Sequence, residues 1–149
     1  MKYFSCLPGS WALVCDGTKA LIFENRGTAA LPNLILVTTW EAEEGAGSAC
    51  EDRPGRVYES VGTARSSHEI LDAREVEEHR FLDSIISQLD GLVERSDVEH
   101  LVVVAPPRAL GHIRRNLTPQ LRKRLKATLN HDLVHMSTPD IEARLARPR

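Results

Sequence analysis

Hydrophobic and polar positions change rhythm three times along this chain. Residues 11–24 read Trp-Ala-Leu-Val-Cys-Asp-Gly-Thr-Lys-Ala-Leu-Ile-Phe-Glu. These are two apolar, β-prone runs on either side of Asp16-Gly17, a dipeptide that accepts positive φ and closes tight hairpins. From Asn33 to Trp40 the positions Leu34, Leu36, Thr38 and Trp40 alternate with Ile35, Val37 and Thr39. Such alternation predicts a third strand, covered on at least one face, and hence a three-stranded meander at the start of the chain.

Residues 41–68 lose all periodicity and are rich in acids, glycine and scattered arginines around Pro54, so they are expected to form a long loop of the functional kind. A helical rhythm begins near Asp72 and continues to Val93. Val76, Phe81, Leu82, Ile85, Ile86, Leu89, Leu92 and Val93 recur every three or four residues, and charges occupy the other positions. Asp72 with Glu75 suits a helix start, and Ser66 with Glu69 is a competing one.

Leu101–Ala105 is a short β-branched run closed by two prolines, the pattern of a strand buried on both faces. Pro106-Pro107 opens a helix to about Asn116, and Thr118-Pro119 caps and restarts another. A strand is preferred somewhere in 126–136. Thr138-Pro139-Asp140 then reads as cap, first-turn proline and first-turn acid of a last helix to about Arg147. The order of elements predicts an α/β protein with a single mixed β-sheet and helices on its faces. The length, 149 residues, suits one domain over 1–149.

Composition narrows the function classes. The longest apolar run is too short to cross a bilayer, and Met1–Pro8 lacks the apolar stretch of a secretory signal, so no membrane insertion and a cytoplasmic location are expected. Three cysteines without a C-x-x-C spacing suggest neither a disulfide framework nor a zinc site. Cys15 is expected to pack as a small core hydrophobe. The net charge of −2 conceals a strong asymmetry: residues 41–99 hold sixteen acids and six bases, whereas 100–126 hold seven bases and no acid.

That basic segment is the first candidate for chemistry. Arg108, His112 and Arg115 share one helical face, and Arg122 and Lys123 are expected to face outward on the next helix. The pattern suits a phosphate-binding surface assisted by the helix start after Pro106, and equally a solvated face paired with the acidic middle of the chain. His131 and His135, four apart with Asp132 between, lack the glutamate of a metallohydrolase motif and a third ligand, and Asp16 is better explained as a turn residue. With no nucleophile elbow, phosphate loop or dinucleotide fingerprint, no catalytic residue, metal or cofactor is expected, and a metal-dependent hydrolase is the weakest of the readings.

Three further motifs occur in order: Trp11-x-Leu-Val-x-Asp16-Gly-x-Lys-Ala20, Asp52-Arg53-Pro54-Gly55-Arg56-Val57-Tyr58 through Gly62, and Val104-Ala-Pro-Pro-Arg108-x-Leu-Gly111. Together with Asp132-Leu133 and Pro139-x-Ile-Glu142 they closely resemble the bacterial host attachment protein family over essentially the whole chain. The resemblance implies a role in attachment to host cells. It also implies a fold like the middle domain of archaeo-eukaryotic peptide-chain release factors, itself ribonuclease H-like, with RNA or a ribosome as possible partner alongside a protein partner. The Gly-Gly-Gln tripeptide of release factors and the acidic tetrad of ribonuclease H are both missing, so neither peptidyl-tRNA hydrolysis nor nuclease activity is expected.

The binding surface predicted here combines the 52–62 loop with the basic helices. Pro54 and Gly55 form a turn that presents Arg53 and Arg56. Tyr58 stacks or packs beside them, while Arg108 and Arg115 contact a phosphate or a carboxylate. His112, Arg122 and Lys123 complete the surface.

Overall fold

The computed structural model describes residues 7–42 and 56–146, with side chains from 73 onward in the long helix. Five strands form one mixed sheet: β1 (Trp11–Cys15), β2 (Lys19–Asn25), β3 (Leu34–Glu41), β4 (Leu101–Ala105) and β5 (Leu125–Asn130). Their order across the sheet is β3-β2-β1-β4-β5. The first three are an antiparallel meander, and β4 and β5 run parallel to β1. Helix α1 (Arg56–Arg95) links β3 to β4, α2 (Pro107–Asn116) and α3 (Pro119–Arg124) link β4 to β5, and α4 (Thr138–Leu145) ends the fold. This is the single mixed sheet with helices that the element order predicts.

Two apolar layers hold it. On one face Leu13, Cys15, Ile22, Leu101 and Val103 meet Leu82, Ile85, Ile86, Leu89 and Val93 of α1, with Leu110, Ile113 and Leu121 from α2 and α3. On the other face Ala12, Val14, Phe23, Val102 and Val104 meet Leu133, Val134, Ile141 and Leu145. Strands β1 and β4 are buried at every position, as the unbroken apolar run of β4 requires.

Polar anchors fix the helices on these layers. The Thr118 hydroxyl accepts the Leu121 N–H as the cap of α3 and donates to Asp90 of α1 at 3.0 Å. Glu142 of α4 accepts the Leu34 N–H at 2.8 Å, which ties the last helix to the start of β3. Helix α1 ends where Asp97 turns to φ 55° and the Val98 N–H reaches back to the Val93 carbonyl.

Four local expectations need correction. First, residues 56–68, expected as loop, are helical, and α1 runs through Ser66 and Asp72 without a cap at either. Residues 56–68 mix weak helix formers (three Ser, one Thr, one Gly and two Val) with one Glu, one Ala and two Arg, so neither local propensity nor a regular apolar spacing announces the helix. Val76, expected in the core stripe, is 49% exposed.

Second, the Asp16-Gly17 hairpin does not use a positive-φ glycine: among the described glycines only Gly9 has one. The Asp16 carboxylate closes the turn instead, its Oδ1 accepting from Thr18 N, Thr18 Oγ1 and Lys19 N at 2.8, 3.1 and 2.8 Å.

Third, β3 is an edge strand whose alternation is broken. A bulge at Val37 shifts its register on β2, so Leu34 belongs to the α4 face while Trp40 packs on the α1 face. Ile35, Leu36 and Val37 are left exposed. Finally, the cap of α4 is Ser137, whose hydroxyl accepts the Asp140 N–H; Thr138 is already helical, and the helix ends at Leu145 rather than Arg147.

Leu89→Ala is expected to cost about 2–5 kcal/mol, because the side chain is fully buried between α1 and the sheet. Val76→Ala is expected to stay within about 0.5 kcal/mol. Urea denaturation of both variants checks the placement of the apolar stripe.

Candidate functional site

Parallel strands β1 and β4 end side by side, and the chain leaves them differently. β1 runs into the Asp16–Thr18 turn, and β4 into Pro106 and the start of α2. Between these ends and α1 lies a cleft of about 250 Å³. Asp16, Gly17, Thr18, Glu75, Glu78, His79, Leu82, Pro106, Arg108 and Ala109 line it. The carboxyl ends of strands beside the point where strand order reverses are where open α/β sheets bind ligands, because the helix starts and loops converge there.

The two walls differ in charge. Pro106 caps α2 without a side-chain bond, and Pro107 has no N–H to offer. The first helical bond runs from Leu110 N to Pro106 O, at 2.8 Å. The N–H groups of Arg108 and Ala109 therefore have no partner within the helix, at the end where its dipole is positive. The Arg108 side chain is 81% exposed above them and meets Glu75 at 3.3 Å.

The opposite wall is acidic. Glu78 lies across Gly17, where a Cβ would sit 2.7 Å from its Cγ, so the glycine is needed for close approach rather than for its backbone freedom. Among the described residues Glu78 has no hydrogen-bond or ion-pair partner. Asp16 Oδ2 lies 3.3 Å from His135 Nε2, which joins the segment after β5 to the turn.

A pair of stacked imidazoles floors the site. The rings of His79 and His112 are 4.1 Å apart and inclined by 15°. His112 Nε2 lies 2.8 Å from Asp83 Oδ1, and His79 Nε2 lies 3.9 Å from Glu75 Oε2. Glu75, His79 and Asp83 stand one turn apart along α1, so one polar stripe beside the apolar one holds both histidines and Arg108.

The predicted binding residues divide accordingly. Arg53, Pro54 and Gly55 lie outside the described residues. Arg56 and Tyr58 fall in the first turn of α1 rather than in a loop, and their side chains are not described. Arg108 lines the cleft and Arg115 is exposed two turns along α2. His112, expected outward between them, is buried against α1, because Asp83 and the His79 ring offer it better partners than water does. Arg122 closes the end of α2 by donating to the Arg114 and Leu117 carbonyls at 2.9 and 3.3 Å, and Lys123 is exposed. Arg124 likewise donates to the Val98 carbonyl.

Glu75, Glu78, His79 and Asp83 escape a reading of the sequence, since each looks like an ordinary outward charge on a helix. Their spacing at three and four residues beside the apolar stripe is the available signal. Among the described residues His135 meets only Asp16, and no group of three or more His, Cys, Asp or Glu could hold a metal.

Cys15 is buried in β1, and burial pushes its thiol well above the ordinary range, with Asp16 adding to the effect. It is expected to resist iodoacetamide at about pH 8 until the protein is unfolded, because the thiolate is the reacting form. Peptide mass spectrometry of native and denatured samples checks this, and fast native labelling would contradict the placement.

Within the described residues no helix is long and apolar enough to cross a membrane. A search of curated proteins finds no match to the chain. The family model described as "Protein required for attachment to host cells" matches residues 11–145, which takes in every strand and the last helix. The chain belongs to that family of host-attachment proteins.

Proposed function

We propose that this chain serves attachment to host cells as a binding protein rather than an enzyme, with the cleft at the ends of β1 and β4 as its ligand site. The observation that carries this reading is the meeting, across one small cleft, of Arg108 and the first N–H groups of α2 with Glu78, which is unpartnered among the described residues. The ligand bears a carboxylate or phosphate, which takes the Arg108 fork and the α2 N–H groups. It also bears a hydrogen-bond donor or ammonium group, which satisfies Glu78.

Glu75 is already paired with Arg108 at 3.3 Å, and Asp16 Oδ1 is saturated by its own turn. In this reading the protein acts in the cytoplasm and supports attachment indirectly. A free, buried Cys15 is in keeping with a reducing compartment. Arg53 and Arg56 keep their proposed role as a second anionic contact.

A second reading, association with RNA or a ribosome, draws on the exposed Arg115, Lys123 and Lys126 of the acid-free segment. It is the weaker one. Arg122 and Arg124 are engaged on backbone carbonyls, and no aromatic residue interleaves the bases as a stacking platform would require.

Cells carrying Arg108→Ala are expected to attach to host cells less well than wild type, with protein level and melting temperature unchanged. Loss of a charge-assisted fork lowers ligand affinity by about tenfold or more. Unimpaired attachment would remove the cleft from the function. Binding to RNA, if it occurs, is expected to weaken steeply with salt, and the slope to flatten in Arg115→Ala/Lys123→Ala. Salt-insensitive binding would contradict the second reading.

A further inference from the structure

We propose, resting on the reading of the cleft as an anion-binding ligand site, that Glu75 is its built-in competitor and that His79 takes Glu75 over when a ligand binds, so that anion binding draws in a proton. Among the residues lining the cleft, Arg108 is the one arginine or lysine, and Glu75 Oε2 already lies 3.3 Å from its Nη2. A ligand carboxylate or phosphate that takes the Arg108 fork therefore meets a carboxylate in place. Both side chains are part-exposed, at 81 and 41%. An ion pair in that setting is weak enough to exchange, and its competition costs a ligand no more than a few-fold in affinity.

Glu75 has a second partner within reach. The same Oε2 lies 3.9 Å from Nε2 of His79, one turn further along α1. One oxygen stands between a guanidinium and an imidazole, and a change of rotamer decides which of them it serves. The imidazole holds a carboxylate as an ion pair only when protonated, and histidines ordinarily change charge within about pH 5–8. With His79 neutral, Glu75 stays on Arg108. A protonated His79 competes for Glu75 and releases the guanidinium to the ligand. Linkage makes the effect reciprocal: an anion that displaces Glu75 favours transfer of a proton from water to His79 Nε2.

The neighbours of His79 suit this part. His112 of α2 stacks on it with ring centroids 4.1 Å apart, and gives its own Nε2–H to Asp83 of α1, because a carboxylate only accepts. The remaining charged groups that line the cleft with it are Glu78 of α1, Asp16 of the β1–β2 turn and Arg108. A positive charge gained at His79 thus has acidic neighbours on two elements and one basic neighbour, which the ligand's anion neutralises.

Titration with sulfate, whose charge stays the same throughout, tests this from about pH 6 to about pH 8, read at the Arg108 and Ala109 amides. Wild-type affinity is expected to rise several-fold as the pH falls. Glu75→Gln is expected to bind sulfate about two- to fivefold more tightly than wild type at about pH 8, since the competitor is gone. His79→Phe keeps a ring against His112 and is expected to lose the gain on acidification. Calorimetry of the wild type at about pH 7, in buffers of different ionisation enthalpy, is expected to show proton uptake on binding. Unchanged affinity in Glu75→Gln, a pH dependence that survives in folded His79→Phe, or a binding heat independent of buffer each overturns the proposal. If no variant shows sulfate shifts at Arg108 and Ala109 at any pH, the cleft itself is not an anion site, and the proposal falls with that reading.

Discussion

The parallel pairing of β1 with β4 is the constraint on which the rest of the molecule depends. Each is only five residues long, and each is buried on both faces. Short strands with no solvated side are stable only when covered above and below. Helices α1, α2 and α3 must therefore press on one face and α4 with Leu133 and Val134 on the other. The pairing also brings two strand ends to the same edge of the sheet. The exits of the two strands decide the chemistry there: a carboxylate-closed turn after β1, and a proline-started helix after β4.

The cleft arises from that juxtaposition with little further design. A helix that begins Pro106-Pro107 has no side-chain cap and leaves its next two N–H groups without a helical partner, and Arg108 adds a flexible cation above them. Helix α1 supplies the opposing wall because the stripe that buries Leu82, Ile85 and Leu89 places Glu75, His79 and Asp83 on its flank. The buried His112 is held by Asp83 and stacked on His79, so it locks α2 to α1 beneath the site rather than facing a ligand. The basic residues spread further along. Several serve as caps for carbonyls at helix ends, a use of arginine that composition cannot distinguish from an anion-binding surface.

Much of this is legible in the chain itself. The doubly buried β4, the Pro107 and Pro119 helix starts, the apolar stripe from Phe81 to Val93 and the turn role of Asp16 all come from local chemistry. The motif resemblance points to the family that the model match over 11–145 shows. What escapes depends on contacts distant in sequence. The face of His112 is set by Asp83, 29 residues earlier, and a single extra residue at Val37 moves Trp40 to the opposite layer from Leu34. The first turns of α1 escape for a different reason: they are helical without an apolar rhythm to announce it.

A titration of isotope-labelled protein with phosphoethanolamine, which carries a phosphate at one end and an ammonium at the other, tests the cleft most directly. Amide shifts read residue by residue are expected to saturate at Arg108 and Ala109 on one wall and at Gly17 and Thr18 on the other, and to vanish in Arg108→Ala. Shifts confined to Arg115, Lys123 and Lys126, or none at saturating ligand, would contradict it.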